Sequence, residues 1–184
     1  ITRLAEAVSR IGNYKWPQRI TKTNEVFLRK IAELTGKTYD PSNLTPVLNE
    51  VGSISRMMGA TLSNTANPSM LEGGYKANVI PQTASAVVDG RTLPGYEHEL
   101  LDTVKQLAGE HVKVESLVSD IPLEVDFSGP LVEKMIAAIK AEDPEGIPVP
   151  YVMSGGTDNK ALAKLGLAGC GFSPLKLPPE LDFL

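Results

Sequence analysis

One cysteine, two histidines and a single tryptophan in 184 residues limit what this chain can do. With Cys170 alone there is no internal disulfide, and a reducing, cytoplasmic compartment fits. His98 and His111 stand apart, and neither H-E-x-x-H nor a cluster of histidines occurs, so spacing offers no metal centre and no catalytic histidine. His98 lies between two glutamates at a helix start, where consecutive residues point in different directions and cannot converge on an ion. No apolar run is long enough to span a bilayer, so no membrane partner is expected. Basic residues form no block and do not alternate with aromatics, and the net charge is −4, which argues against nucleic acid.

What is present is ordinary globular material, 42% hydrophobic and 22% charged. Ile1, Leu4, Ala5, Val8 and Ile11 fall at helical spacing, with Gly12 as the expected cap. Trp16 reads as a packing anchor in the connection that follows. A second helix, capped by Thr23 or Asn24, carries Phe27, Leu28, Ile31 and Leu34 and stops at Gly36. Residues 44–62 read as short helices broken by Pro46, Gly52 and Gly59. After a turn at 65–68, a strand over Ser69–Gly73 is expected to pair with one over Ala84–Thr92. A helix from Gly95 buries Leu100, Leu101, Val104 and Leu107, and a strand over 112–118 follows.

The composition changes near Ser119. Pro130 opens a helix behind Ser128, with Leu131, Val132, Met135, Ile136 and Ile139 as its stripe. Short strands at Val149–Met153 and Leu167–Phe172, the latter holding Cys170 as a small apolar residue, flank a glycine loop and a helix over Asn159–Leu165. The chain opens inside an amphipathic pattern and closes on P-P-E-L-D-F-L. We expect a piece of a longer protein.

Two stretches carry candidate chemistry. In GGYKANVIPQTASAVVDGRTLPG, residues 73–95, Asn78 precedes a period-two strand and Asp89 and Arg91 close it. Arginine can grip a carboxylate with two parallel hydrogen bonds, and asparagine can donate to an oxyanion. Against this stands the plain alternative of a turn-forming Asn and a surface Arg. The second stretch is Ser154-Gly155-Gly156-Thr157-Asp158, a strand-to-helix loop whose backbone N–H groups suit an anion. Its plain alternative is a simple turn capped by Thr157 or Asp158.

Taken together, N-V-I-P, D-x-R-x-x-P-G and S-G-G-T-D resemble the zinc-dependent aminoacylase and carboxypeptidase family, metallopeptidase family twenty. The resemblance implies an α+β, ferredoxin-like lid over residues 1–119 with its first strand missing. A partial α/β piece of the catalytic domain would follow over 120–184. It implies that Asn78, Arg91, Ser154, Gly155, Gly156 and Thr157 bind substrate, with lid residues able to serve a neighbouring subunit. It implies a parent with two zinc ions whose ligands and catalytic base lie outside this chain, so the chain itself holds no catalytic residue and no metal. Gly90, in the middle of D-x-R, reads as tolerant of substitution.

Two functions compete. One is the lid and a catalytic-domain piece of an amidohydrolase acting on dipeptides or N-acyl amino acids, inactive alone and dimeric through 1–119. The other is a free-standing ferredoxin-like dimerisation or regulatory module. The glycine loop after Ser119 has a use only in the first.

Overall fold

The computed structural model describes residues 1–52, 54–153 and 155–174. Among them run helix α1 (Thr2–Asn13), α2 (Lys22–Thr35), α3 (Thr45–Leu48), a 3-10 turn (Asn49–Val51) and α4 (Ile54–Gly59). Strands β1 (Thr65–Gly73) and β2 (Ala84–Arg91) follow, then α5 (Glu97–Ala108), α6 (Pro130–Glu142) and α7 (Asn159–Lys164). The chain divides into two compact units, each built from two stretches. Residues 1–19 join 63–122 in the first, and 20–62 join the chain from 123 onward in the second. Residues 20–62, read from sequence as part of 1–119, thus group with the later residues.

In the first unit β1 and β2 form an antiparallel hairpin running from Thr65↔Arg91 to Gly73↔Ala84. The strand begins at Thr65, four residues earlier than the sequence pattern indicates. Pro68, which looked like a turn residue, lies where the register shifts between Pro68 and Met70. Proline has no N–H to give a ladder, and a bulge is where a strand tolerates that loss. Gly12 does not end α1, which runs on to Asn13. A Cβ built on Gly12 would lie 3.5 Å from the Pro68 ring, an ordinary contact, so helix and hairpin pack closely at this point. Ala7 and Ile11 are the buried residues of α1. Arg10, outside that stripe, donates from Nε to the Leu107 carbonyl at 2.7 Å and from Nη2 to that of Ala108 at 3.2 Å. It thereby satisfies the carbonyls left over at the end of α5 and sets a positive charge on the negative end of its dipole.

The second unit owes its core to α2 and the short helices after it. Phe27, Leu28, Ala32, Leu44, Val47, Met58 and Leu62 pack together, with Val149 against them. Thr21 caps α2 by accepting from the Asn24 N–H at 3.3 Å, ahead of either residue expected to do so. Asn24 is fully buried and donates to the Thr61 carbonyl at 2.7 Å. Gly36 ends the helix at φ 66°, in the left-handed region that favours glycine. Helix α6 takes Gly129, not Ser128, as its N-cap, with Pro130 in its first turn.

Three expected strands do not form: residues 112–118, 149–153 and 167–172 have no ladder partner. The α/β reading of the later segment is corrected accordingly, since its described residues hold helices and extended connections only. Apolar alternation marks a segment able to pair, but pairing needs a second edge at the right register. Leu117 and Val118 stand about four-fifths exposed in their segment, and Leu167 and Phe172 are also exposed.

Candidate functional site

Arg91 closes β2 and pairs with Thr65 in the ladder. Asp89 lies two residues earlier on the same face of the strand, and its Oδ2 accepts from Arg91 Nε at 2.7 Å. Through this bond Asp89 orients the Arg91 guanidinium from its Nε edge. A Cβ on Gly90 would meet Leu100 Cδ2 at 2.8 Å, so a side chain there requires the end of the Leu100 side chain to shift.

Behind Arg91 the chain turns through Thr92–Tyr96 into α5, and this corner is fastened from two sides. Asn64 is buried, accepts from the Leu93 N–H at 2.8 Å and donates from Nδ2 to the Tyr96 carbonyl at 3.0 Å. The Arg19 guanidinium lies 5.5 Å from the centre of the Tyr96 ring and forks onto Glu99 at 3.0 and 3.2 Å. Sequence pattern missed both supports. An Asn before a strand and an Arg in a loop carry no periodic signal, and the contacts span gaps of about 30 and 80 residues.

Asn78 lies in the exposed connection between Gly73 and Ala84, in a turn where the Val79 N–H donates to the Lys76 carbonyl at 3.2 Å. Tyr75 and Ile80 beside it are almost wholly exposed. Asn78 and Arg91 are at opposite ends of the hairpin, since Gly73 pairs with Ala84 and Thr65 with Arg91. Seven residue steps along a strand cover roughly 23 Å. The neck of the connection is narrow: a Cβ on Gly74 would lie 3.9 Å from the Pro81 ring, which leaves six residues beyond it. One chain's Asn78 and Arg91 are not brought together.

Gly155, Gly156 and Thr157 are exposed ahead of α7, whose first turn closes with the Lys160 N–H on the Thr157 carbonyl at 3.1 Å. Asp158 takes the N-cap position but its side chain makes no capping bond. Neither glycine has a positive φ, and a Cβ on Gly156 would meet nothing within 4 Å. Ser154 lies outside the described residues. Cys170 is half-buried, with its Sγ 3.8 Å from Met135 Sδ. His98 and His111 are exposed, the latter 3.4 Å from Glu110. Among the described residues, no three of His, Cys, Asp and Glu gather so as to hold a metal ion. No helix among them is long and apolar enough to cross a membrane.

A two-stranded antiparallel hairpin with helices α1 and α5 beside it makes the first unit a small α+β fold. A family model described as the peptidase dimerisation domain matches residues 1–115. The chain belongs to the aminoacylase and carboxypeptidase family, metallopeptidase family twenty. Aminoacylase-1 of Pongo abelii is 33% identical over 124 residues, covering 64% of this chain and 30% of that protein. N-fatty-acyl-amino acid synthase/hydrolase PM20D1 of Xenopus tropicalis is 30% identical over 189 residues, covering 96% of this chain and 36% of its own length. A probable carboxypeptidase S-like 2 of Dictyostelium discoideum is 24% identical over 171 residues, covering 85% of this chain and 32% of its own length. The chain thus spans about a third of the length of these curated relatives. No solved structure matches it.

Proposed function

We propose that this chain is the substrate-holding and self-associating part of a zinc-dependent amidohydrolase that cleaves dipeptides or N-acyl amino acids. The observation that carries the reading is Arg91, held by Asp89 at the end of a rigid strand, within a chain of this family. A guanidinium fixed through Nε is suited to a planar carboxylate, the group that every such substrate bears. The printed names of the relatives, aminoacylase, N-fatty-acyl-amino acid synthase/hydrolase and carboxypeptidase, support that substrate class.

In this reading residues 1–119 act as a lid of ferredoxin-like type, of which α1, β1, β2 and α5 are the helix–strand–strand–helix middle. Residues 120–184 belong to the catalytic domain. The chain pairs with a second copy through the lid, and Arg91 and Asn78, being at opposite ends of one hairpin, serve different sites, Asn78 that of the neighbour. The Ser154–Thr157 loop lies against the substrate backbone. In this reading the chain contributes binding, and residues outside it hold the two zinc ions of the parent. A cytoplasmic parent, and an inactive isolated chain, complete the proposal.

The test is an assay of the full-length parent on dipeptides and N-acyl amino acids. Wild type should hydrolyse one of these classes, and Arg91→Ala should lose most of kcat/KM with folding intact. Undiminished activity in that variant defeats the reading.

A further inference from the structure

We propose that Asn64 is a positioning residue for Arg91, setting the backbone that carries the guanidinium and hence the enzyme's preference for a substrate carboxylate. The inference rests on the reading that Arg91 meets the substrate, and extends it to a residue that touches no substrate.

Asn64 directly precedes Thr65, the ladder partner of Arg91. Its side chain reaches across to the corner that leaves Arg91, taking the Leu93 N–H at 2.8 Å and giving to the Tyr96 carbonyl at 3.0 Å. Asn64 is 1% exposed and Leu93 4%, so water does not replace the bond between them when it is lost, while the bond to the Tyr96 carbonyl is part-buried. Arg91 is therefore held at its backbone by Thr65, at its side chain by Asp89 and just beyond its Cα by Asn64.

The chemistry is particular to asparagine. It offers one acceptor and one donor at fixed separation on a short stem. Aspartate keeps the bond from Leu93 but turns a second acceptor toward the Tyr96 carbonyl, so the corner must open. Glutamine has the same groups one methylene too far out. Tyr96 is independently gripped by Arg19 and, through it, Glu99, so opening displaces the Leu93 side of the corner, the side nearest Arg91. A displacement on the order of 1 Å at a substrate-holding group is enough to cost a large part of its effect.

The experiment uses the full-length parent and two substrates, an N-acyl amino acid and its primary carboxamide, which lacks the charge that Arg91 grips. The readout is the ratio of the two kcat/KM values, which does not depend on how much of the enzyme is folded. Asn64→Asp should lower the acid-over-amide preference about tenfold, the size expected from one mispaired buried hydrogen bond. In an Arg91→Ala background it should lower that preference no further. An unchanged ratio in Asn64→Asp, with both substrates slowed alike, means a structural role only and overturns the proposal. So does a tenfold drop that persists without Arg91. If Arg91→Ala by itself keeps the wild-type ratio, the assignment of Arg91 is what has failed, and the role of Asn64 falls with it.

Discussion

Arg91 and Asp89 are each about half exposed, at 54% and 48% of their side chains. An ion pair that open to water contributes between nothing and about 1 kcal/mol to stability. Arg91→Ala is therefore expected to leave the melting temperature of the protein nearly unchanged. Its effect belongs to kinetics: kcat/KM of the parent should fall on the order of a hundredfold, corresponding to about 2–4 kcal/mol of lost charged hydrogen bonding. Arg91→Lys should recover little, because an ammonium cannot reproduce the planar fork. Steady-state kinetics alongside thermal melts separate these outcomes. A second residue-scale expectation concerns Asp40, whose carboxylate accepts from the Ser42 hydroxyl at 2.6 Å and the Ser42 N–H at 2.9 Å. The hydroxyl first, and the backbone N–H second, hold its pKa below the ordinary 3.8. The folded form thus binds this proton less readily than the unfolded chain. The associated stability is complete above the ordinary carboxylate range and is lost as pH falls through the depressed folded value. An NMR titration of Asp40 should give a midpoint below 3.8 in wild type and one closer to it in Ser42→Ala.

Gly156 and Gly36 behave oppositely at the level of the element. A Cβ on Gly36 would meet nothing within 4 Å, but its φ of 66° strains any L side chain, so Gly36→Ala should cost about 1 kcal/mol at the end of α2. Gly156 has neither a positive φ nor a close neighbour, and Gly156→Val should leave the melting temperature unchanged. If the same substitution abolishes parent activity, the cost is paid against substrate, and a silent variant returns the loop to a plain turn. Legibility followed the same division. Helices α1, α2, α5 and α6 were readable because each carries a 3.6-period stripe, and α7 because a glycine loop precedes it, although several caps moved by a residue or more. The hairpin was readable at β2, where the alternation is clean, but not at the start of β1, where Pro68 hides a strand inside a bulge. The segments at 112–118, 149–153 and 167–172 misled because their pattern names no partner. Of the candidate site, D-x-R was legible as a pair. The separation of Asn78 from Arg91 was not, since twelve intervening residues look short until a strand stretches them.

For the whole molecule, the expected assembly is a homodimer of the parent through the first unit, where two strands leave edges open and Tyr75 and Ile80 stand in solvent. Light scattering that shows a strict monomer at high concentration argues against it. The second unit depends on Leu28, wholly buried at the centre of its cluster. Leu28→Ala should destabilise that unit by about 2–5 kcal/mol, read as a shifted denaturation midpoint.

The first unit is left at Arg19 and re-entered at Ser63, and Arg19 and the adjoining Asn64 both fasten on Tyr96. On a ribosome, residues 20–62 emerge between the two halves of that unit, before β1 has been made. Their cluster is almost wholly local, with members from Phe27 to Leu62, so it can collapse early. Once it has done so, the 43 residues from 20 to 62 no longer act as a free loop between helix α1 and the hairpin. The closure entropy of that loop is then met within the insert before the first unit assembles. A chain that interrupts itself in this way acts as its own folding clamp, and slowing the collapse of 20–62 should delay the hairpin that carries Arg91.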